Sequence, residues 1–407
     1  MTLLPVEEAL KRLLEMAKPI ADGEQVPLAS CPARVLAKDV AALLTQPPFD
    51  ASAMDGYALR AADVGPEARL KLIGESAAGR AFSGVVGPGE AVRIFTGAPV
   101  PEGADVVLLQ EDAVIHDDGT IGMTFFPEKG RHIRPKGQDF LEGQTVIHKG
   151  AVLTPPRLMV AAAMNHAALP VLRKPRVGLL ATGDELVRPG DPRGDSQIIA
   201  SNTYAVAAIA RNMGADVVDH GIARDTMDDL DEAIARAGAE KLDVLVTLGG
   251  ASVGDHDLVQ KALKNAGMEL NFWRIAMRPG KPLMVGMLDD MIVLGLPGNP
   301  VSSLVCATLF LEPLLAVLGG YPAPRREVDV IVAADLPEND KRRDHLRATL
   351  ERGTDGRLVA APFGKQDSSM MNILSQSGCL IIREPFAPAL VAGETAKAIL
   401  LRDPSIP

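Results

Sequence analysis

The chain of 407 residues has only three cysteines, Cys31, Cys306 and Cys379, widely separated and without a C-x-x-C pair. Three scattered thiols exclude a disulfide framework and read as small buried apolar groups in a reducing compartment. None of the seven histidines stands at zinc-ligand spacing, which excludes a structural zinc site. An excess of basic residues is also missing: 42 Lys and Arg against 52 Asp and Glu give a formal net charge of −10. Nucleic acid is therefore not an expected partner, because phosphate backbones are bound by basic faces. The longest apolar run, Val301 to Leu318, is interrupted by Glu312 and Pro313 and reads as a buried helix, not a membrane span. Glu7 and Glu8 stand where an export signal would carry its apolar core, so no export signal is expected and the reading is cytoplasmic. There is no internal repeat and no low-complexity tract.

The hydrophobic content of 47% and charged content of 23% are those of a globular protein. This length predicts about two to three domains. Val6 to Ile20 has helical spacing, and Thr154 to Val171 returns to it. Between them, from about 27 to 140, short runs such as Ala91–Phe95 and Asp105–Leu109 alternate with Pro/Gly turns and predict a β-rich module inserted into an elongated, helical N-terminal domain over 1–175. From 176 to 320 the pattern changes. Strand-like runs at 176–181, 216–222, 243–248 and 291–295 alternate with helical stretches near 203–213, 227–240, 255–266 and 299–318, which predicts an open, mainly parallel α/β sheet. Residues 321–407, with alternating Val328–Val332 and a turn at Asp355-Gly356, predict a small C-terminal β domain.

The chemistry concentrates at the ends of the central strands. Asp243 to Leu248 is a short apolar run followed by Gly249-Gly250-Ala-Ser252-Val-Gly-Asp255-His-Asp257 and a helical pattern. A glycine turn between a strand and a helix offers free N–H groups and the positive end of the helix dipole to an anion. Asp255 and Asp257 add hard oxygen donors suited to Mg²⁺ shared with a phosphate. Thr182-Gly-Asp-Glu185, Ser201-Asn202 and Gly295-Leu-Pro297-Gly298-Asn299-Pro300 fall at further strand ends or helix starts, where open α/β sheets bind ligands. Arg274, Arg278 and Lys281 form a cationic cluster able to neutralise an oxyanion. The same glycine loop also matches G-x-S-x-G, which would make Ser252 a nucleophile, with Asp289 or Asp290 and His345 as its partners.

Phe49-Asp-Ala-Ser-Ala-Met-Asp55-Gly-Tyr57, Thr96-Gly-Ala-Pro-Val-Pro101, Thr182-Gly-Asp-Glu-Leu186, Gly249 to Asp257, Arg278-Pro-Gly-Lys-Pro282 and Leu296-Pro-Gly-Asn-Pro-Val-Ser302, in this order, resemble the molybdopterin molybdenumtransferase (MoeA) family, related to the E domain of gephyrin. The resemblance runs from about 5 to 400. It implies a molybdopterin-binding-like α/β domain and a reaction in which adenylylated molybdopterin and molybdate give molybdenum cofactor and AMP, assisted by Mg²⁺. By that resemblance Gly249, Gly250, Ser252, Pro297, Gly298, Asn299 and Pro300 would hold the pterin nucleotide. Glu185, Asp225 and Asp257 would serve the cation and the cleavage, and Arg274, Arg278 and Lys281 would bind oxyanions. Asp55, Thr96 and Asp139 would complete the site near the metal being inserted. The family is a homodimer with its site between subunits, and transient contacts with an adenylyltransferase and with recipient molybdoenzymes would follow. Arg274 and Arg278 stand where many members carry lysine, and Ala200 where relatives carry an acidic residue.

Three other functions fit parts of the chain. A molybdopterin adenylyltransferase needs only a domain like 176–320, a serine hydrolase would use Ser252, and a scaffold would bind peptides as gephyrin-type relatives do.

Overall fold

The computed structural model describes residues 3–250, 258–324 and 326–401. They form two compact units, one of Met1–Glu24 with Leu172–Pro407 and one of Gln25–Val171. Helix α1 (Val6–Met16) belongs to the first unit and buries Val6, Ala9 and Leu13, the face its apolar spacing predicts.

The second unit is mainly β. Strands β1 (Gly56–Leu59), β2 (Leu70–Ser76), β3 (Glu90–Ile94), β4 (Val106–Leu109), β5 (Ala113–Ile115) and β6 (Thr120–Met123) make a sheet in the order β4-β1-β3-β2-β6-β5. Only the β2–β3 pair is parallel. Leu59, Leu70, Val106, Leu108 and Ile121 fill its core. Helix α2 covers Pro155–Ala163 and no more. Asn165 takes a φ of 70°, and Ala168–Leu172 continues as a strand that buries Leu169 and Val171. The expected elongated helical domain is therefore a β structure with one short helix, because the apolar residues beyond Asn165 alternate with period two.

The first unit carries the α/β sheet. Its elements are β7 (Arg176–Thr182), α3 (Asn202–Asn212), β8 (Asp216–Ala223), α4 (Met227–Ala239), β9 (Val244–Leu248), α5 (Leu258–Asn265), β10 (Glu269–Trp273), β11 (Met284–Leu288), β12 (Met291–Leu296) and α6 (Pro300–Gly319). The strand order is β8-β7-β9-β12-β11-β10. The first four strands are parallel, and β11 and β10 add an antiparallel edge. Every residue of β9 and β12 is buried, as expected of strands covered on both faces. Val244, Val246 and Leu248 meet one core with α1, α3 and α6, while Leu245 meets the other with α4 and α5. Helix α6 is the one described helix long and apolar enough to cross a membrane, and 78% of its apolar window is buried in this core. It widens to a π turn at Ala307–Leu311, just before Pro313, whose ring clashes with the carbonyl four residues back in a regular helix.

The chain then forms β13 (Glu327–Val332), β14 (Arg343–Arg352), β15 (Leu358–Pro362), helix α7 (Met371–Gln376), β16 (Cys379–Arg383) and β17 (Thr395–Leu400). Pairings β14–β15, β15–β13, β13–β17, β17–β16 and β16–β14 close these strands into a ring, which removes free edges. The short strand Met277–Arg278 of the α/β domain pairs with β14 outside that ring.

Candidate active site

The carboxyl ends of β7, β9 and β12 face one cavity of about 820 Å³. Two backbone turns and the start of a helix make its polar floor. Gly249 and Gly250 end β9 with φ of 104° and 63°; a Cβ on Gly249 would stand 2.7 Å from the Thr182 carbonyl, and one on Gly250 2.2 Å from Val259. Only glycine fits at these two positions; the rest of the loop read from the sequence, 251–257, lies outside the described residues. Pro297, Gly298 and Asn299 end β12, and Pro300 starts α6. Asn202, the first residue of α3, donates from Nδ2 to the Gly298 carbonyl at 2.7 Å and ties the β7 and β12 connections together. Two helix N-termini, of α3 and α6, thus meet a diglycine turn at one edge, where the helix dipoles favour an anion; the Gly249 and Val301 N–H groups are already bonded, to the Leu296 and Ser368 carbonyls. The Thr182 hydroxyl, in the same wall, is buried with no hydrogen-bond partner among the described residues.

Glu185 and Asp225 line the cavity's acidic side. The Asp225 N–H donates to Asp184 Oδ1 at 3.1 Å. Partial burial, followed by the neighbouring carboxylates of Asp184 and Glu185, pushes the Asp225 carboxyl above its usual range. Among the described residues none of the three is held in an ion pair, and no group of three or more acidic, His or Cys side chains forms a ready metal cage. This donor set suits Mg²⁺, which takes one or two carboxylates and completes its shell with waters and substrate phosphate.

Of the opposite walls the sequence reading singles out only Leu186. Leu186, Ile198 and Ile199 supply an apolar side from a two-stranded ribbon, Arg193 comes from the loop between its strands, and Ser369 and Met371 come from the C-terminal β domain. Asn299 Nδ2 donates to Ser368 Oγ at 3.1 Å, and the Val301 N–H donates to the Ser368 carbonyl at 3.1 Å. The polar run Gln366-Asp-Ser-Ser369 was the only local signal for this contribution.

The cationic cluster is dispersed. Arg274 has φ 78° and stacks over Trp273 at 4.4 Å. Arg278 pairs with Asp344, with Nε at 3.0 Å from Oδ2, and its Nη1 lies 3.4 Å from Asp340. Lys281 is exposed. None of the three lines the cavity, whereas the adjacent Pro282 does. Ser252 and Asp257 lie outside the described residues.

In the second unit Asp55 accepts from the Thr96 N–H at 2.7 Å and from its hydroxyl at 2.8 Å. Those two bonds, with Arg93 nearby, hold the Asp55 carboxyl below the usual carboxylate range. Asp139 is exposed and donates its N–H to the Gln46 carbonyl at 3.0 Å.

The fold and cavity define a multidomain α/β protein with an anion-receptive cleft at the ends of its parallel strands. Family models match in sequence along the chain: the MoeA N-terminal region (domain I and II) over 4–165, a probable molybdopterin binding domain over 178–317 and the MoeA C-terminal region (domain IV) over 329–401. The chain is 34% identical to the molybdopterin molybdenumtransferase of Haemophilus influenzae, with 97% of both chains covered. It is 33% identical to that of Bacillus subtilis, covering 99% of this chain and 95% of that one. A solved molybdopterin biosynthesis MoeA protein of Pyrococcus horikoshii superposes with a TM-score of 0.84 at 30% identity, covering 99% of this chain and all of that one. The chain belongs to the MoeA family of molybdopterin molybdenumtransferases.

Proposed function

We propose that this chain is a molybdopterin molybdenumtransferase, a transferase of molybdenum cofactor biosynthesis that converts adenylylated molybdopterin and molybdate to molybdenum cofactor and AMP. The observation that carries the reading is the convergence of a diglycine turn, two helix N-termini and two carboxylates on one cavity of about 820 Å³, room for a pterin nucleotide. Gly249, Gly250, Ser252 and Pro297, Gly298, Asn299 and Pro300 hold the substrate's phosphates and nucleotide in this proposal. Glu185, Asp225 and Asp257 would hold Mg²⁺, which when bound would supply positive charge to neutralise the substrate's phosphates. Asp225, raised in pKa by partial burial and then by Asp184 and Glu185, gains from a cation placed beside it. Lys281, exposed and beside Pro282, is the best placed of the three cations to meet an oxyanion. The Asp55–Thr96 pair and Asp139 complete the site from the second subunit of a homodimer. We further place the protein in the cytoplasm, in transient contact with an adenylyltransferase and recipient molybdoenzymes.

Two competing readings lose support. For a serine hydrolase, His345 is buried in β14 at 2% exposure, while Asp289 and Asp290 form the β11–β12 turn at the opposite end of the sheet from the glycine loop. An adenylyltransferase needs only the α/β domain, yet Ser369 and Met371 of the C-terminal domain are part of the cavity wall. Complementation tests the proposal. In a strain lacking its own molybdenumtransferase, the wild-type chain restores molybdoenzyme activity and the Asp55→Ala and Asp257→Ala variants do not. Full restoration by both variants would sink the reading.

A further inference from the structure

Arg347 is the largest fully buried side chain, at 1% exposure in β14. A guanidinium cannot shed its charge, so burying one without a carboxylate is costly and calls for a compensating role. Among the described residues Arg347 has no ion pair within 4 Å and its Nη2 has no hydrogen-bond partner, and the carboxylate that acts on it at longer range is Asp367, on the same strap. Its other donors hold one segment. Nε donates to Gln366 Oε1 at 3.3 Å, and Nη1 donates to the Met370 carbonyl at 3.2 Å.

Gln366 completes the arrangement. Its Oε1 accepts from the Arg347 N–H at 2.9 Å and its Nε2 donates to the Arg347 carbonyl at 3.0 Å, as a neighbouring strand would. The last β14–β15 pair is Ala348–Pro362; beyond it the Phe363 N–H still donates to the Arg347 carbonyl at 3.0 Å, and the carboxamide supplies the acceptor that the Arg347 N–H lacks from β15. From this point residues 366–371 run to the cavity. Ser368 meets Asn299 and Val301 at the start of α6, and Ser369 and Met371 line the wall.

We propose that Arg347 and Gln366 form a clasp that positions the 366–371 strap against the cavity, so that the C-terminal domain sets the fit of the nucleotide part of the substrate. Arg347 is a positioning residue in this scheme: it lines no part of the cavity and acts through the backbone it holds. The inference rests on the function proposed above for its ligand, and on geometry alone for the clasp. The full-length protein is tested as Arg347→Lys, Gln366→Leu and Gln366→Glu. AMP binding is followed by titration calorimetry, amide exchange of the strap by mass spectrometry, and folding by the thermal midpoint. Exchange of amides 366–371 accelerates in Arg347→Lys and Gln366→Leu, while the amides of β14 other than residue 347, and those of β16 and β17, keep their protection. AMP binds about five- to tenfold more weakly to both, the scale of one or two lost hydrogen bonds, and Gln366→Glu recovers part of the loss because its oxygens still accept from Arg347. Faster strap exchange with unchanged AMP affinity overturns the proposal, as does faster exchange spread over the whole domain. If Arg347→Lys does not fold, the two Gln366 variants decide. If wild-type protein binds no AMP, the functional reading fails, and strap exchange alone still decides whether the clasp exists.

Discussion

Asp225 illustrates how single residues here trade stability for chemistry. Its carboxyl is raised in pKa by partial burial and by Asp184 and Glu185. A carboxylate raised in the folded state subtracts from stability above its folded pKa and subtracts nothing below the unfolded value, so the cost is present at neutral pH. Asp225→Asn is therefore expected to hold or raise the thermal midpoint at pH 7 while removing activity; a lower midpoint would contradict this account. Gly250 gives the opposite case. With φ 63° and a virtual Cβ 2.2 Å from Val259, Gly250→Ala should cost about 1–3 kcal/mol in denaturant unfolding and weaken anion binding. Gly249 and Gly250 were legible in the sequence because a glycine pair after an apolar run has few other uses. The positions of Arg274 and Arg278 were not, because composition gives charge without direction: Arg278 faces Asp344, more than sixty residues away in the chain.

At the level of elements, the parallel strands and their helices were readable because burial on both faces makes continuous apolar runs. The antiparallel edge strands β10 and β11 were missed. Glu269-Leu-Asn-Phe-Trp273 is mixed in polarity, and nothing local says that it doubles back to pair with Met284–Leu288. Helix α6 was read correctly as buried, but its tie to the C-terminal domain was not visible. Glu312, 4% exposed, is paired with Arg326 at 2.8 Å, and Arg326 also donates to the Leu400 carbonyl at 3.1 Å. Burial raises the Glu312 pKa and the guanidinium opposes that rise. Arg326→Met leaves a buried carboxylate unpaired and should destabilise the protein by about 3 kcal/mol at neutral pH. Acidification protonates the stranded Glu312 and should shrink the difference between variant and wild type. A difference that grows on acidification would contradict the pairing.

Across the molecule, the α/β alternation of 176–320 and the strand pattern after it were readable, while the contribution of the C-terminal barrel to the cavity was not, since it depends on how two sheets pack within one compact unit. The barrel also contributes to the protein's acid response. Burial, with the Arg343 guanidinium beside it, pushes His345 down to about 3. The unfolded chain binds a proton there below pH ~6.5 and the folded chain does not, so this residue makes stability fall as pH drops from that value toward 3. The slope from one such group is at most about 1.4 kcal/mol per pH unit. His345→Leu should flatten the decline of the unfolding free energy over this window; an unchanged slope would show that His345 is not its source.

The central claim is that the cavity at the ends of β7, β9 and β12 performs molybdate-dependent cleavage of adenylylated molybdopterin. Its most direct test is AMP release by the purified protein, with and without molybdate and Mg²⁺, for the wild type and Asp225→Asn. The account predicts release that requires molybdate, accompanies activation of an apo-molybdoenzyme, and falls at least about a hundredfold in Asp225→Asn. Adenylylated molybdopterin left intact under every condition, or cleaved equally by both proteins, would contradict it.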